Sequence, residues 1–204
     1  MNNICLVLQG PIDYVDDLIS YYSNYKDDVI ISTNKISNVD KEKLTENGFK
    51  VLVNKKLDIP GKKNFNNQVL NTYEGTKLAK EMGFKYVMKV RSDIMIDKVD
   101  ELINNLDFNS IYFPAYHNYN GGYLCEHMVF SDVNFMLALW DIPISVSDDA
   151  PELQLNENLK KLNNEKKVKF IFPILYEKNI KARWVKYKMY LNEYENDKLF
   201  TYDY

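Results

Sequence analysis

Phe84-Lys85-Tyr86-Val87-Met88-Lys89-Val90-Arg91-Ser92-Asp93 is the stretch that decides the fold. Phe84–Val90 reads as a strand, and it stops abruptly at a cation, a hydroxyl and a carboxylate. Before it lies a long helical pattern from about Asn64 to Met82, with Phe65, Val69 and Tyr73 on one face and Gly83 as the stop. A helix that feeds a mostly apolar strand is the unit from which parallel sheets are built.

The same alternation extends in both directions. Ile4–Leu8 is a short unbroken apolar run, expected for a strand covered on both faces, and Gln9-Gly10-Pro11 ends it. Asp13–Tyr25 has helical spacing, with Val15, Leu18, Ile19 and Tyr22 on one side. Val29–Ser32 is a second strand, Asp40–Asn47 a polar helix closed by Gly48, and Phe49–Val53 a third strand. Beyond the central stretch come a short helix, Asp97–Leu106, and a strand, Ser110–Phe113. This order predicts an α/β fold, a mostly parallel sheet with helices on both faces. Ligands of such sheets bind beyond the carboxyl ends of the strands, so the residues just after each strand are the functional candidates.

The second half is less regular. Tyr116–Leu124 reads as an exposed loop rich in Tyr, Asn and Gly, Cys125–Phe130 as a strand, and Ser131 as the cap of a helix reaching Trp140. Pro151–Leu162 is a further helix and Val168–Phe172 a last strand. Lys178–Lys188 mixes cations with aromatics; a solvated C-terminal helix is the preferred reading, with peripheral contact at an anionic membrane surface as the alternative.

The chain has 204 residues, 46% hydrophobic and 14% aromatic, enough to fill a core. Its net charge of -3 gives no general attraction to nucleic acid, and Arg91 and Arg183 are its two arginines, which argues against a phosphate-backbone binder. No run approaches the roughly 20 apolar residues of a membrane-spanning helix. Cys5 and Cys125 lack the spacing of a metal knuckle or a disulfide framework, so a reduced cytoplasmic setting is expected.

Two strand ends, one helix start, a loop and the Glu126-His127 pair carry the candidate chemistry. Asp93 could hold a divalent cation that neutralises a diphosphate, with Lys89 or Arg91 adding charge-assisted bonds. The plain alternative is an Arg91–Asp93 pair that merely finishes the strand. Asn64-Phe65-Asn66-Asn67-Gln68 opens the long helix, where free N–H groups favour phosphate; the plain alternative is that Asn64 or Asn66 is an ordinary N-cap. Gln9 can bond a base or ribose, and Gly10 admits a ligand close to the backbone, unless the segment is a plain turn. Asp58, in the loop before the long helix, is a further binding candidate. Glu126, beside His127, could act as a general base or metal ligand. His117 and His127 alone cannot make a zinc site without carboxylate help.

Taken together, these segments resemble the WavE family of lipopolysaccharide-synthesis proteins, glycosyltransferases of the GT-A type. The matching pieces are Leu8-Gln9-Gly10-Pro11-Ile12, then Ile30-Ile31-Ser32-Thr33, then Asn64–Gln68 continuing to Thr72 and Gly75, then Lys89–Ile94. A looser match covers Glu126–Trp140 with Ala150-Pro151-Glu152. The resemblance implies a Rossmann-like, three-layer GT-A domain over residues 1–204, with a donor-binding half at 1–115 and an acceptor side and tail at 116–204. It implies a nucleotide-sugar donor and a glycan or lipid-linked acceptor in surface polysaccharide, lipopolysaccharide or capsule assembly. Gln9, Gly10, Pro11 and Thr33 would lie near the nucleotide, and Asn67 and Gln68 near the diphosphate. Asp93 would bind Mn²⁺ or Mg²⁺, and Glu126 would deprotonate the acceptor. Arg91 stands where the first acid of the Asp-x-Asp motif belongs, so the cation has one carboxylate, or Arg91 takes over its charge. A nucleotidyltransferase that makes activated sugars is the alternative enzyme, and a glycan-binding or assembly protein using Tyr116–Tyr123 as an aromatic platform is the non-enzymatic one.

Overall fold

The computed structural model describes residues 3–117, 123–144, 151–162 and 166–191. Ile4–Gln9 forms strand β1, and all six residues are buried. Helix α1 (Val15–Tyr22) runs on into a tighter turn, Ser23–Asp28, and leads to β2 (Val29–Thr33). The Ser37 hydroxyl accepts the Asp40 N–H and so starts α2 (Asn38–Glu46), which precedes β3 (Lys50–Val53). Helix α3 (Phe65–Glu81) then feeds β4 (Tyr86–Arg91). After β5 (Ile94–Ile96) and α4 (Val99–Asn104) come β6 (Ile111–Phe113) and a small ribbon of β7 (Tyr116–His117) and β8 (Tyr123–Leu124). Strand β9 (Met128–Asp132) leads into α5 (Val133–Trp140), which Asp132 caps by accepting the Asn134 and Phe135 N–H groups. The rest comprises α6 (Pro151–Lys161), β10 (Val168–Phe170), α7 (Ile171–Glu177), β11 (Ala182–Trp184) and β12 (Met189–Tyr190).

Seven strands form the central sheet in the order β10-β6-β9-β4-β1-β2-β3. The four strands from β4 to β3 are parallel, β9 is antiparallel to both β4 and β6, and β10 is parallel to β6. Side chains alternate across β1. Leu6 and Leu8 join Leu18, Ile31, Met88 and Val90 in a core on the α1 and α4 side. Cys5 and Val7 join Ile30, Phe65, Val87 and Trp140 in a core under α3 and α5. This is the expected Rossmann-like α/β fold, with helices packed on both faces of a mostly parallel sheet.

Three local expectations change. Val168–Phe172 is strand only to Phe170; the chain then turns helical, and Pro173 is tolerated in the first turn, where its missing N–H has no intrahelical acceptor to lose. Lys178–Lys188 is not a helix. Its centre is β11, which pairs antiparallel with β5 and β12, so Lys181, Arg183 and Trp184 follow a strand period beside the sheet. The strand expected from Cys125 begins at Met128, and Asp132 rather than Ser131 caps the following helix. Residues 118–122, the centre of the suggested aromatic platform, lie outside the described residues.

Gly75 sets how closely α3 lies on the sheet. A Cβ there would stand 2.6 Å from Val7 Cγ1 and 2.9 Å from the Ser32 Cβ. The helix therefore approaches β1 and β2 as nearly as backbone allows. Gly75→Ala is expected to destabilise by about 1–3 kcal/mol through overpacking, lowering Tm by roughly 2–4 °C per kcal/mol. Helix propensity alone would instead stabilise by about 1 kcal/mol; a melting curve that moved upward would refute the close-contact account.

Candidate functional site

The parallel register brings three strand ends side by side, with Gln9 opposite both Ser32 and Arg91. Beyond them opens a cleft of about 520 Å³. Its floor carries Gln9, Gly10, Pro11, Arg91, Ser92 and Asp93, and its walls carry Asn64, Asn67, Gln68 and Asn71 from the start of α3. Gly10 has φ +134°, and a Cβ there would meet the Ser92 hydroxyl at 2.7 Å. That hydroxyl donates to the Pro11 carbonyl at 2.7 Å, and the Ser92 N–H donates to Gln9 O at 2.8 Å. Glycine is required here because the ends of β1 and β4 are laced together across it.

The amides of α3 hold the loop that faces them. Asn66 donates to the Ile59 carbonyl, Asn67 Oδ1 accepts the Leu57 N–H at 3.1 Å, and Asn71 Oδ1 accepts from Asn54 at 2.9 Å. The Asn54 amide also donates to Ser32, whose hydroxyl donates to the Asn71 carbonyl at 2.6 Å. Much of the Asn-rich helix start is thus explained by stapling residues 54–59. Asn67 and Gln68 still line the cleft. Lys63 and Asn64, just before the helix, both have left-handed backbone, with φ of 51° and 63°.

Arg91 and Asp93 form a two-pronged pair. Arg91 Nε donates to Asp93 Oδ1 at 3.0 Å and Arg91 Nη2 to Oδ2 at 2.8 Å. The Trp184 indole donates to the same Oδ2 at 2.9 Å, and the guanidinium lies 5.0 Å from the Trp184 ring. Burial alone would raise the Asp93 carboxyl, but the guanidinium and the indole N–H outweigh it and hold it below the usual carboxylate range. Both carboxylate oxygens are therefore already engaged. A divalent cation wants carboxylate oxygens directly in its shell, and here three of the four lone-pair sites are taken, leaving one on Oδ1 beside the guanidinium's own positive charge. Among the described residues Asp13 is the other acid of the cleft lining; it lies between β1 and α1 and faces Lys35 at 3.6 Å. The residues present do not fit the expected Mn²⁺ or Mg²⁺ site at Asp93.

Four expected positions fall outside the cleft lining. Thr33 is buried and closes its own turn, accepting the Lys35 N–H and donating to the Lys35 carbonyl; its neighbours Asn34 and Lys35 line the cleft instead. Asp58 is exposed on the loop before α3. Lys89 is fully buried, its ammonium donating to the Glu126 carbonyl and lying 5.3 Å from the Trp140 ring, so it cannot reach a ligand. Glu126 is buried behind Gln68, which donates to its Oε1 at 3.0 Å. Its Oε2 has no hydrogen bond and faces His127 Nε2 at 3.5 Å. Burial favours the acid form of Glu126, yet His127, the Lys89 ammonium and the Gln68 amide hold it well below its ordinary value. A carboxylate so stabilised is a weak base. Cys125, Glu126 and His127 present ligand atoms within 4.8 Å of one another, and the buried Lys89 cation already supplies positive charge there.

The strand-end rule missed the lysines that complete the cleft. Lys56, Lys63 and Lys186 line it and have no carboxylate at ion-pair distance among the described residues. Lys56 and Lys63 flank Asp58 in a visibly basic loop. Trp184 and Lys186 come from the cation-and-aromatic segment, and only its pairing with β5 brings them to Asp93, where the Val185 N–H donates to the Asp93 carbonyl at 2.9 Å.

No protein-family model matches this chain, and no curated protein does. Among solved structures it is similar to a cytidylyltransferase from Leptospira borgpetersenii serovar Hardjo-bovis (strain JB197), at 9% identity and a TM-score of 0.44, over 82% of this chain and 76% of that one. It is also similar to a glycosyltransferase involved in the glycosylation of the major capsid of PBCV-1, at 7% identity and a TM-score of 0.44, over 85% of this chain and 88% of that one. At that level of likeness neither protein's activity transfers to this chain. Among the described residues no helix is long and apolar enough to cross a membrane.

Burial pushes the His127 imidazole from 6.5 down to about 4, against the pull of Glu126. Below pH 6.5 the unfolded chain takes a proton that the folded chain refuses, so stability falls as pH drops from 6.5 towards 4. The slope from this group is at most about 1.4 kcal/mol per pH unit. Urea unfolding across that range should show His127→Gln losing stability less steeply than the parent. Equal slopes would mean that His127 is not held neutral by burial.

Proposed function

We propose that the chain is a glycosyltransferase of the GT-A type, related to the WavE proteins, that moves a sugar from a nucleoside-diphosphate sugar to a hydroxyl of a glycan or lipid-linked acceptor. The observation that carries this reading is the cleft at the strand ends. Neutral amides from the start of a long helix and cations from four separate segments converge there on one space. A helix N-terminus and lysines suit phosphate oxygens, while Gln9 and Asn34 offer the donor and acceptor pairs that a base or ribose requires. In the reaction the bond from the anomeric carbon to the diphosphate oxygen breaks, that carbon bonds the acceptor oxygen, and the acceptor's hydroxyl proton passes to the released diphosphate or to water. Charge builds on the departing diphosphate, and fixed cations aimed at it lower the barrier.

Within this reading residues 1–115 bind most of the donor. Lys186 closes the cleft from the C-terminal side, and Glu126 acts indirectly by holding the Gln68 amide in place. The acceptor belongs to surface polysaccharide, lipopolysaccharide or capsule assembly, with the enzyme in the cytoplasm and in peripheral reach of the inner membrane. The order and spacing of the four matching segments support that finer assignment.

Calorimetric titration with UDP-, GDP- and CMP-sugars tests it. At least one donor is expected to bind with a Kd of about 1 µM to 1 mM, the usual range for enzyme substrates, and more weakly as ionic strength rises. Silence across the panel from a folded protein would remove the donor-site claim.

A further inference from the structure

Resting on the donor-site reading above, we infer that the cleft neutralises a diphosphate with a fixed guanidinium and lysines, without a divalent cation. Asp93 serves Arg91 rather than a metal. Three hydrogen bonds from Arg91 and Trp184 occupy its two oxygens, at 2.8–3.0 Å. Of the carboxylate's four lone-pair sites these leave one, on Oδ1, and a cation bound there would lie close to the guanidinium's charge. The second carboxylate that a small hard cation commonly recruits is missing from this strand end, where Arg91 stands.

The charge that a metal would bring is already in place. Lys35, Lys56, Lys63, Arg91 and Lys186 line the cleft. Among the described residues Asp13 and Asp93 are its acids, so five cations face two carboxylates, an excess of three in a chain of net charge -3. That excess is sufficient for a dianionic diphosphate. Arg91 is also built to be aimed. The carboxylate grips one edge of its fork, the Trp184 ring covers its plane, and the side chain stays 29% exposed to the cleft. Arg carries five N–H donors, of which the pair with Asp93 uses two, leaving three for phosphate oxygens. Asp93 and Trp184 are positioning residues that act through Arg91.

The test is titration of the full chain with UDP and with GDP, once in EDTA and once in Mn²⁺ or Mg²⁺. The expected result is binding of at least one nucleotide with affinities that agree within about threefold between the two conditions. Arg91→Gln should lose roughly ten- to hundredfold in both. Asp93→Asn keeps an acceptor for the guanidinium and should lose much less. A metal site at Asp93 reverses that order, since Asn is a poor substitute for the cation's only carboxylate. Circular dichroism and melting curves establish that each variant is folded, and the comparison in the parent chain needs no variant. A gain beyond threefold on adding either cation, or an Asp93→Asn loss as large as that of Arg91→Gln, overturns the inference while leaving the donor site standing. If neither nucleotide binds in either condition, the donor-site reading fails and the inference fails with it.

Discussion

An ammonium group buried at the centre of the sheet constrains everything around it. Lys89 has no exposed surface, and burial brings it down to about 8. An unpaired charge at such a place costs several kcal/mol, so the fold must supply partners. Glu126 supplies two, its carbonyl as a hydrogen-bond acceptor and its carboxylate as a counter-charge, while Trp140 offers a ring face. Glu126 in turn requires a donor, which is Gln68 on α3. One ammonium on β4 thereby fixes the approach to β9, the end of α5 and the second turn of α3. Of the cleft-facing amides, Gln68 is held by the same compensation.

The cleft takes from this arrangement the placement of Gln68, and its rigidity and charge from elsewhere. Its floor is three adjacent strand ends laced by Ser92, and its amide wall is held by bonds to the loop at 54–59. The lysines arrive on flexible stems from the end of β2, from the loop and turn before α3, and from the turn after β11. Shape and charge thus come from different parts of the chain. The position of Arg91 is the exception, since a carboxylate and an indole lock it at the strand mouth.

The parallel part of the sheet was readable because its strands are unbroken apolar runs and its helices keep a clear period. The strand-end rule led to Gln9, Gly10, Pro11, Arg91 and Asp93, and the helix start to Asn67 and Gln68, all of which line the cleft. Lys89 was misplaced because a strand covered on both faces carries no alternation to say which side chains point inward. Thr33 failed by a single residue: its hydroxyl turned back to close the chain, and the side chains after it took the cleft. Trp184 and Lys186 were out of reach because they depend on the pairing of β11 with β5. Those strands lie nearly ninety residues apart, and neither has a local pattern that names its partner. The Arg91–Asp93 pair was visible as a possibility of spacing, but its third member came from that distant pairing.

The contact at Gly75 has a consequence for how such a chain can drift in sequence. The space a side chain would need at 75 is occupied by Val7 from one strand and Ser32 from another, so the three positions are not independent. Val7 has to shrink before residue 75 can grow, and the reverse order passes through a strained intermediate. Ser32 is further tied to Asn54 and Asn71, which extends the dependence to the cleft wall. Substitutions there are historically contingent: their tolerability depends on which neighbour changed first, and lineages that began by altering different members of the trio would not be interchangeable at the others.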